Sequence, residues 1–159
     1  MTTARTLLTS FVISLLWAAT PAHAGHYRIV DVPDVVPTEH HRALASAGVL
    51  TTAQLYERTA RRRNRRRLAR DTGIKFATLT GWAIFVDLMQ VKGIGPKMVR
   101  LLNASGIAGL KQLKRAKAAS LLEAMRKSNR GFRYSRVLPT VDVVSGWIAR
   151  ARRKRARLQ

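Results

Sequence analysis

A shift of 58 residues lays Arg42-Ala-Leu-Ala-Ser-Ala-Gly-Val over Arg100-Leu-Leu-Asn-Ala-Ser-Gly-Ile, and the match runs on to Gln54-Leu55 over Gln112-Leu113. Arg, Leu, Gly, Gln and Leu are identical at the paired positions. In each copy a helix stops at glycine, an aliphatic residue follows, and a second short helix begins. Each copy closes on a Gly-Trp pair, Gly81-Trp82 and Gly146-Trp147, at an offset of 65, so a few residues are inserted between the two landmarks. A half of this size has too little core to stand alone. The repeat therefore predicts one domain of two similar halves, about 36–90 and 91–149.

The elements of those halves are helical. Pro37 to Ala47 has helix-forming composition and stops at Gly48, a good residue for a left-handed cap. Thr51 and Gln54 have capping-box spacing and start a helix through Leu55. Arg61 to Thr72 continues helically to Gly73. Phe76, Leu79, Trp82, Ala83 and Val86 recur at helical spacing, which predicts a largely buried helix from Lys75 to Leu88. Further helices are expected over Pro96–Ser105, Leu110–Arg115, Ala118–Ser128 and Val141–Arg152, the last with Thr140 as N-cap. No strand-like alternation of useful length appears, so the fold class is all-α. Residues 25–35 read as an extended lead-in, because Pro33 and Pro37 discourage regular structure, and residues 150–159 as a basic tail.

The N-terminus has the three parts of an export signal. Arg5 supplies a cation, Leu7 to Ala19 is an apolar run, and Ala22-His23-Ala24 follows Pro21 as a small-x-small cleavage pattern. The run is too short to span a bilayer, which needs about 20 apolar residues. The expectation is a signal peptide over 1–24, cleavage after Ala24, and a periplasmic or secreted product. With no cysteine in the chain, disulfides and thiol chemistry are excluded.

Between the halves lies Val91-Lys-Gly-Ile-Gly-Pro-Lys97. Gly-apolar-Gly-Pro at a helix start is the signature of a helix-hairpin-helix turn. Gly93 and Gly95 permit close backbone approach, Pro96 suits the first helical position, and Lys97 adds a cation, so the turn can seat a phosphate. The same residues also suit a tight turn between packed helices, and both readings stand.

With these landmarks in place the chain resembles the bacterial domain-of-unknown-function family numbered 4332. The resemblance is carried by Leu44…Ala47-Gly48-Val49-Leu50-Thr51-Thr52 and Leu68-Ala69…Thr72-Gly73-Ile74. It continues through Trp82…Asp87-Leu88-Met89…Lys92-Gly93-Ile94-Gly95, Leu101-Leu102…Ser105-Gly106-Ile107 and Leu138-Pro139…Trp147-Ile148, from about Val35 to Ala151. It implies a tandem helix-hairpin-helix-like module related to the SAM-like fold, with a suspected nucleic-acid link and no established activity. The chain departs from the pattern at the first hairpin, where Val35-Val36-Pro37 stands in place of Gly93-Ile94-Gly95. Without those glycines the first turn is not expected to approach a phosphate.

Charge points the same way. Lys and Arg total 30 against 8 Asp and Glu, for a net charge of +22. So one-sided a balance speaks for a polyanionic partner. On the helix begun at Arg61, Arg62, Arg63, Arg66 and Arg70 fall close to one stripe, which Arg61 and Arg65 extend sideways, and Leu68 is its clear apolar anchor. Like charges at this spacing destabilise a free helix, so the stripe is expected to meet a polyanion. Arg152 and Arg153 lie in a similar run, read as an arm that orders on binding. Such contacts are to phosphates and discriminate little between bases.

The remaining residues offer little chemistry. His40 and His41 are adjacent and cannot share a helix face as metal ligands, so no metal site is expected. The eight carboxylates are scattered, no pair suits acid–base work, and Asp87 reads as a helix-end or hydrogen-bonding residue. Trp82 and Trp147 read as core. The expected function is a non-catalytic, exported module without cofactor that binds a polyanion, DNA or RNA first. An anionic envelope surface and an acidic protein partner are the alternatives, and the sequence leaves the oligomeric state open.

Overall fold

A computed structural model describes residues 26–154 and residue 158. The expected signal peptide and the basic residues Arg155 and Arg157 lie outside the described residues. Those described form eight α-helices and two 3-10 turns, with no strand. The helices are α1 (His41–Ser46), α2 (Thr52–Thr59), α3 (Arg62–Thr72), α4 (Phe76–Met89), α5 (Pro96–Ala104), α6 (Leu110–Arg115), α7 (Ala118–Phe132) and α8 (Val141–Arg153). The all-α reading holds.

Local chemistry sets the ends of these helices as the sequence indicates. Thr51 Oγ1 accepts from the Gln54 amide at 3.2 Å while Gln54 Oε1 accepts from the Thr51 amide at 3.0 Å, a complete capping box for α2. Thr140 Oγ1 caps α8 by accepting from the Val143 amide at 3.4 Å. The repeat is visible in the hydrogen bonds themselves. The Val49 amide reaches back to the Leu44 carbonyl at 2.9 Å, and the Ile107 amide to the Leu102 carbonyl at 2.9 Å. Each of these closures carries a glycine at positive φ, 73° at Gly48 and 87° at Gly106. Leu44, Leu102, Leu55 and Leu113 are buried at the paired positions.

The two halves meet on α4. That helix is apolar nearly all round, with Leu79, Trp82, Ala83, Val86, Leu88 and Met89 buried, as expected of a helix enclosed by others. It packs against α2 and α3 of the first half and α5 and α6 of the second. In the second half α8 lies against α6 and α7, and α5 against α7. Trp82 and Trp147 are both core residues, as the sequence suggests.

Besides one-residue shifts at several ends, and a 3-10 turn at Thr38–His40 where the first helix was expected to begin, three boundaries differ from the sequence reading. The segment before residue 36 is not a lead-in outside the domain: Ile29, Val32 and Val35 are buried around a 3-10 turn at Ile29–Asp31. Its backbone is tied to α2 by Ile29 N–H to the Leu50 carbonyl and Thr52 N–H to the Tyr27 carbonyl, both 2.8 Å. The prolines hid an apolar face at three-residue spacing. Helix α7 runs to Phe132, beyond Ser128, and stops where Arg133 takes φ 46°. Finally, α8 continues through Arg153, so Arg150 to Arg153 are helical and not part of a free arm.

Candidate nucleic-acid interface

Helix α3 presents the largest concentration of charge. Its sequence carries six arginines and one aspartate. Arg62, Arg63, Arg66, Arg67 and Arg70 are exposed, while Leu68 and Arg65 are buried. At 3.6 residues per turn the five exposed arginines fall within an arc of about 140°, opposite Leu68. None of the five is in an ion pair among the described residues. Asp71, the helix's own carboxylate, faces Arg58 of α2 at 3.9 Å instead.

Two assignments within this run change. Arg67 belongs to the exposed arc and was not placed there by the sequence reading, although it stands four residues after Arg63 and three before Arg70. Arg65 does not extend the stripe. It lies three residues before Leu68 and so shares the inward face. Its Nη1 donates to the carbonyls of Thr59 and Ala60, capping the C-terminal end of α2, and its guanidinium stands 5.7 Å from the Phe76 ring centroid. Burial, and secondarily Arg62, lowers its pKa from the usual arginine range. An arginine nonetheless stays charged, which suits the negative end of a helix.

The basic end of α8 is held in place by a reciprocal clasp with α6. Arg152 Nε donates to the Lys114 carbonyl at 3.0 Å, and Lys114 Nζ donates to the Lys154 carbonyl at 2.6 Å. Arg152 and Arg153 are exposed beyond that clasp. Lys114 and Lys154 both stand near Asp87, a buried carboxylate hydrogen-bonded to Tyr56 of α2. Burial raises the Asp87 pKa above the ordinary carboxylate range; the Tyr56 hydrogen bond and the two lysines oppose that without cancelling it. Asp87 thus does the hydrogen bonding expected of it, within its own half, while the two lysines near it come from α6 and the residue after α8.

The second hairpin is occupied by its neighbours. Gly93 has φ 94°, and a Cβ there would lie 2.8 Å from Trp147 Nε1. Gly95 is the extended N-cap of α5, and a Cβ there would lie 2.9 Å from the Tyr27 hydroxyl. Ile94 between them is buried, as is Val36 at the matching place in the first hairpin. Lys97 is exposed at the first turn of α5, beside a cavity of about 380 Å³ lined also by Tyr27, Asp31, Asp34 and Met98. Asp34 pairs with Arg100 at 2.7 Å and Asp31 with Arg28 at 2.8 Å. Packing therefore accounts for both glycines, and carboxylates share the mouth with Lys97. The arrangement favours the tight-turn reading over the phosphate cradle.

The histidines are also placed by packing. His41 Nε2 is 2.8 Å from the Val36 carbonyl, and the His40 ring meets Trp82 edge-on with centroids 5.3 Å apart. No three ligand-type side chains gather into a metal-sized group, and no helix is long and apolar enough to cross a membrane, among the described residues.

Comparison with known proteins rests on one finding. The family described as "Domain of unknown function (DUF4332)" matches residues 35–154. No curated protein and no solved structure matches the chain. The family match covers both halves of the repeat, both hairpins and every helix described above, so the chain belongs to the DUF4332 family.

Proposed function

We propose that this protein is a non-catalytic binding module for polyanions, and that its partner is nucleic acid held through phosphates without sequence preference. The observation that carries this reading is the arc of five exposed arginines on α3, none with an ion-pair partner among the described residues. A helix that concentrates like charge is destabilised by it, and a phosphate backbone relieves the repulsion while releasing counterions. Arg152, whose Nε is clasped to α6, and Arg153 beside it add further exposed cations. Gly93 and Gly95 serve the fold, and they and the exposed Lys97 stay outside this contact surface. The export expected from residues 1–24 places this activity in the periplasm or outside the cell.

The test is a salt titration. Purified protein is mixed with labelled duplex DNA between low and physiological salt, alongside a variant with Arg62, Arg63, Arg66, Arg67 and Arg70 all changed to Gln. The parent should show log affinity falling linearly with log salt. The variant's slope should be shallower by about 0.9 for each phosphate contact removed. A variant that keeps the parent's affinity and slope would sink the α3 surface. A parent that ignores DNA but coats anionic vesicles at physiological salt would move the partner to the cell envelope.

A further inference from the structure

The α3 arc leaves a second basic surface unused. From Arg126 to Arg136 the chain carries five cations and no carboxylate, and two aromatic rings are set among them: Arg130-Gly-Phe-Arg-Tyr-Ser-Arg136. Phe132 is 75% exposed and Val137 78% exposed, more than any other large apolar side chain among the described residues. Phe132 leans on Tyr134 with ring centroids 5.6 Å apart and planes tilted by 34°, and the Arg100 guanidinium stands 5.7 Å from the Tyr134 ring. One face of the pair is backed by protein while Phe132 remains open.

This loop is fixed rather than frayed. Asn129 grips Ser135 twice: Nδ2 donates to the Ser135 carbonyl at 2.9 Å and Oδ1 accepts from the Ser135 amide at 3.0 Å. Ser135 Oγ then donates to the Val137 carbonyl at 2.7 Å, and Ser128 Oγ anchors the helix to the Ala104 carbonyl at 3.0 Å. The turn is made by Arg133 at φ 46°, the one non-glycine residue at positive φ among the described residues. That conformation costs free energy for an L-residue with a side chain, and such strain concentrates at functional positions. Beside it a groove of about 510 Å³ is lined by Arg126, Asn129, Arg130, Arg133 and Leu138.

We propose that this loop is a base-stacking platform for single-stranded nucleic acid. Phe132 takes an unpaired base on its open face, with Tyr134 and Arg100 behind it, while Arg130 and Arg133 of the groove and the exposed Arg136 of the same loop take the flanking phosphates. The alternation of ring and cation along the loop matches the alternation of base and phosphate along a strand. Stacking accepts any base because every base has a π-face. A duplex keeps its bases stacked on one another, so it offers Phe132 nothing and uses only the cations. The proposal rests on the nucleic-acid reading above and adds to it a preference for unpaired strands.

The test uses the purified protein, Phe132→Ala, Phe132→Trp and the five-arginine α3 variant. Each is titrated with a labelled single-stranded oligonucleotide, with a duplex of equal length, and with phosphatidylglycerol vesicles. Phe132→Ala should weaken single-strand binding by about tenfold with an unchanged salt slope, leave duplex binding within about twofold, and be rescued by Phe132→Trp. Circular dichroism should show Phe132→Ala as folded as the parent. Single-strand binding unchanged in Phe132→Ala, with both nucleic acids still lost in the α3 variant, overturns the stacking platform and leaves the proposed function standing. Failure of the parent to bind either nucleic acid overturns both. If Phe132→Ala detaches the protein from vesicles while strands bind as before, the loop faces lipid and the platform is wrong.

Discussion

The two hairpins of this molecule are built on one plan and used differently. Each buries an aliphatic residue at its centre, Val36 in the first and Ile94 in the second. The first flanks it with Val35 and Pro37, and Val35 is itself buried in the core. The second flanks it with Gly93 and Gly95, and their missing side chains are replaced by Trp147 and Tyr27 arriving from elsewhere in the chain. The contrast teaches that a Gly-apolar-Gly turn can be a socket for large side chains as readily as a seat for phosphate. Which of the two it is depends on what lies over the glycines, and the turn's own residues do not say.

The largest expected effect comes from filling that socket. Gly93→Ala must place a Cβ 2.8 Å from Trp147 Nε1 while holding φ at 94°. Chemical denaturation should show a loss of about 2–4 kcal/mol from the clash and the backbone strain together. The matching change in the first hairpin, Val35→Ala, removes buried methyl groups without strain and should cost only about 0.5–2 kcal/mol. Equal losses in the two hairpins would break the contrast between them.

A smaller effect should separate two neighbours on α3. Arg65→Met leaves the carbonyls of Thr59 and Ala60 without their charged donor and should lower stability by about 1.5–3 kcal/mol. Arg66→Met lies on the exposed arc and should change stability by less than about 0.5 kcal/mol while weakening DNA binding. Should both variants behave alike, the division of this helix into a capping arginine and a binding arc is wrong.

The smallest effect concerns the joint between the halves and depends on pH. The folded pKa of Asp87 is raised above its unfolded value, chiefly by burial. Between those two values the folded state holds more protons than the unfolded one, so this residue's contribution falls as pH rises through that window. Asp87→Asn, which can still accept from Tyr56, should gain stability over the parent above the raised pKa. The gain should vanish on acidification below the ordinary carboxylate range. Melting curves of the two proteins across that range check the sign; a gain that grows on acidification would show the carboxylate to be stabilising as an anion.

Much of the fold was legible because local chemistry and periodicity agree. The capping box at Thr51, the cap at Thr140, the glycines at Gly48 and Gly106 and the offset between Leu44 and Leu102 are properties of neighbouring residues, and each appears where expected. The candidate site was less legible because its parts are decided at long range. Arg65 turns inward because α2 ends beside it. Gly95 is closed over by Tyr27, from a segment whose prolines made it look external. A ring three-quarters exposed at Phe132 could not be told from a core residue, since exposure is a property of the packed molecule. The signal that was available, and unused, is the alternation of arginine with Phe132 and Tyr134.

The seating of Trp147 on Gly93 bears on the order in which this molecule completes itself. A chain emerges from its ribosome N-terminus first, so the glycine turn emerges before the helix that covers it. Until α8 has been made and laid against α6 and α7, the second half lacks Val144, Trp147, Ile148 and Ala151 from its interior. The last helix is a keystone. A chain stopped before residue 141 should be a target for proteases and chaperones rather than a smaller version of the same protein.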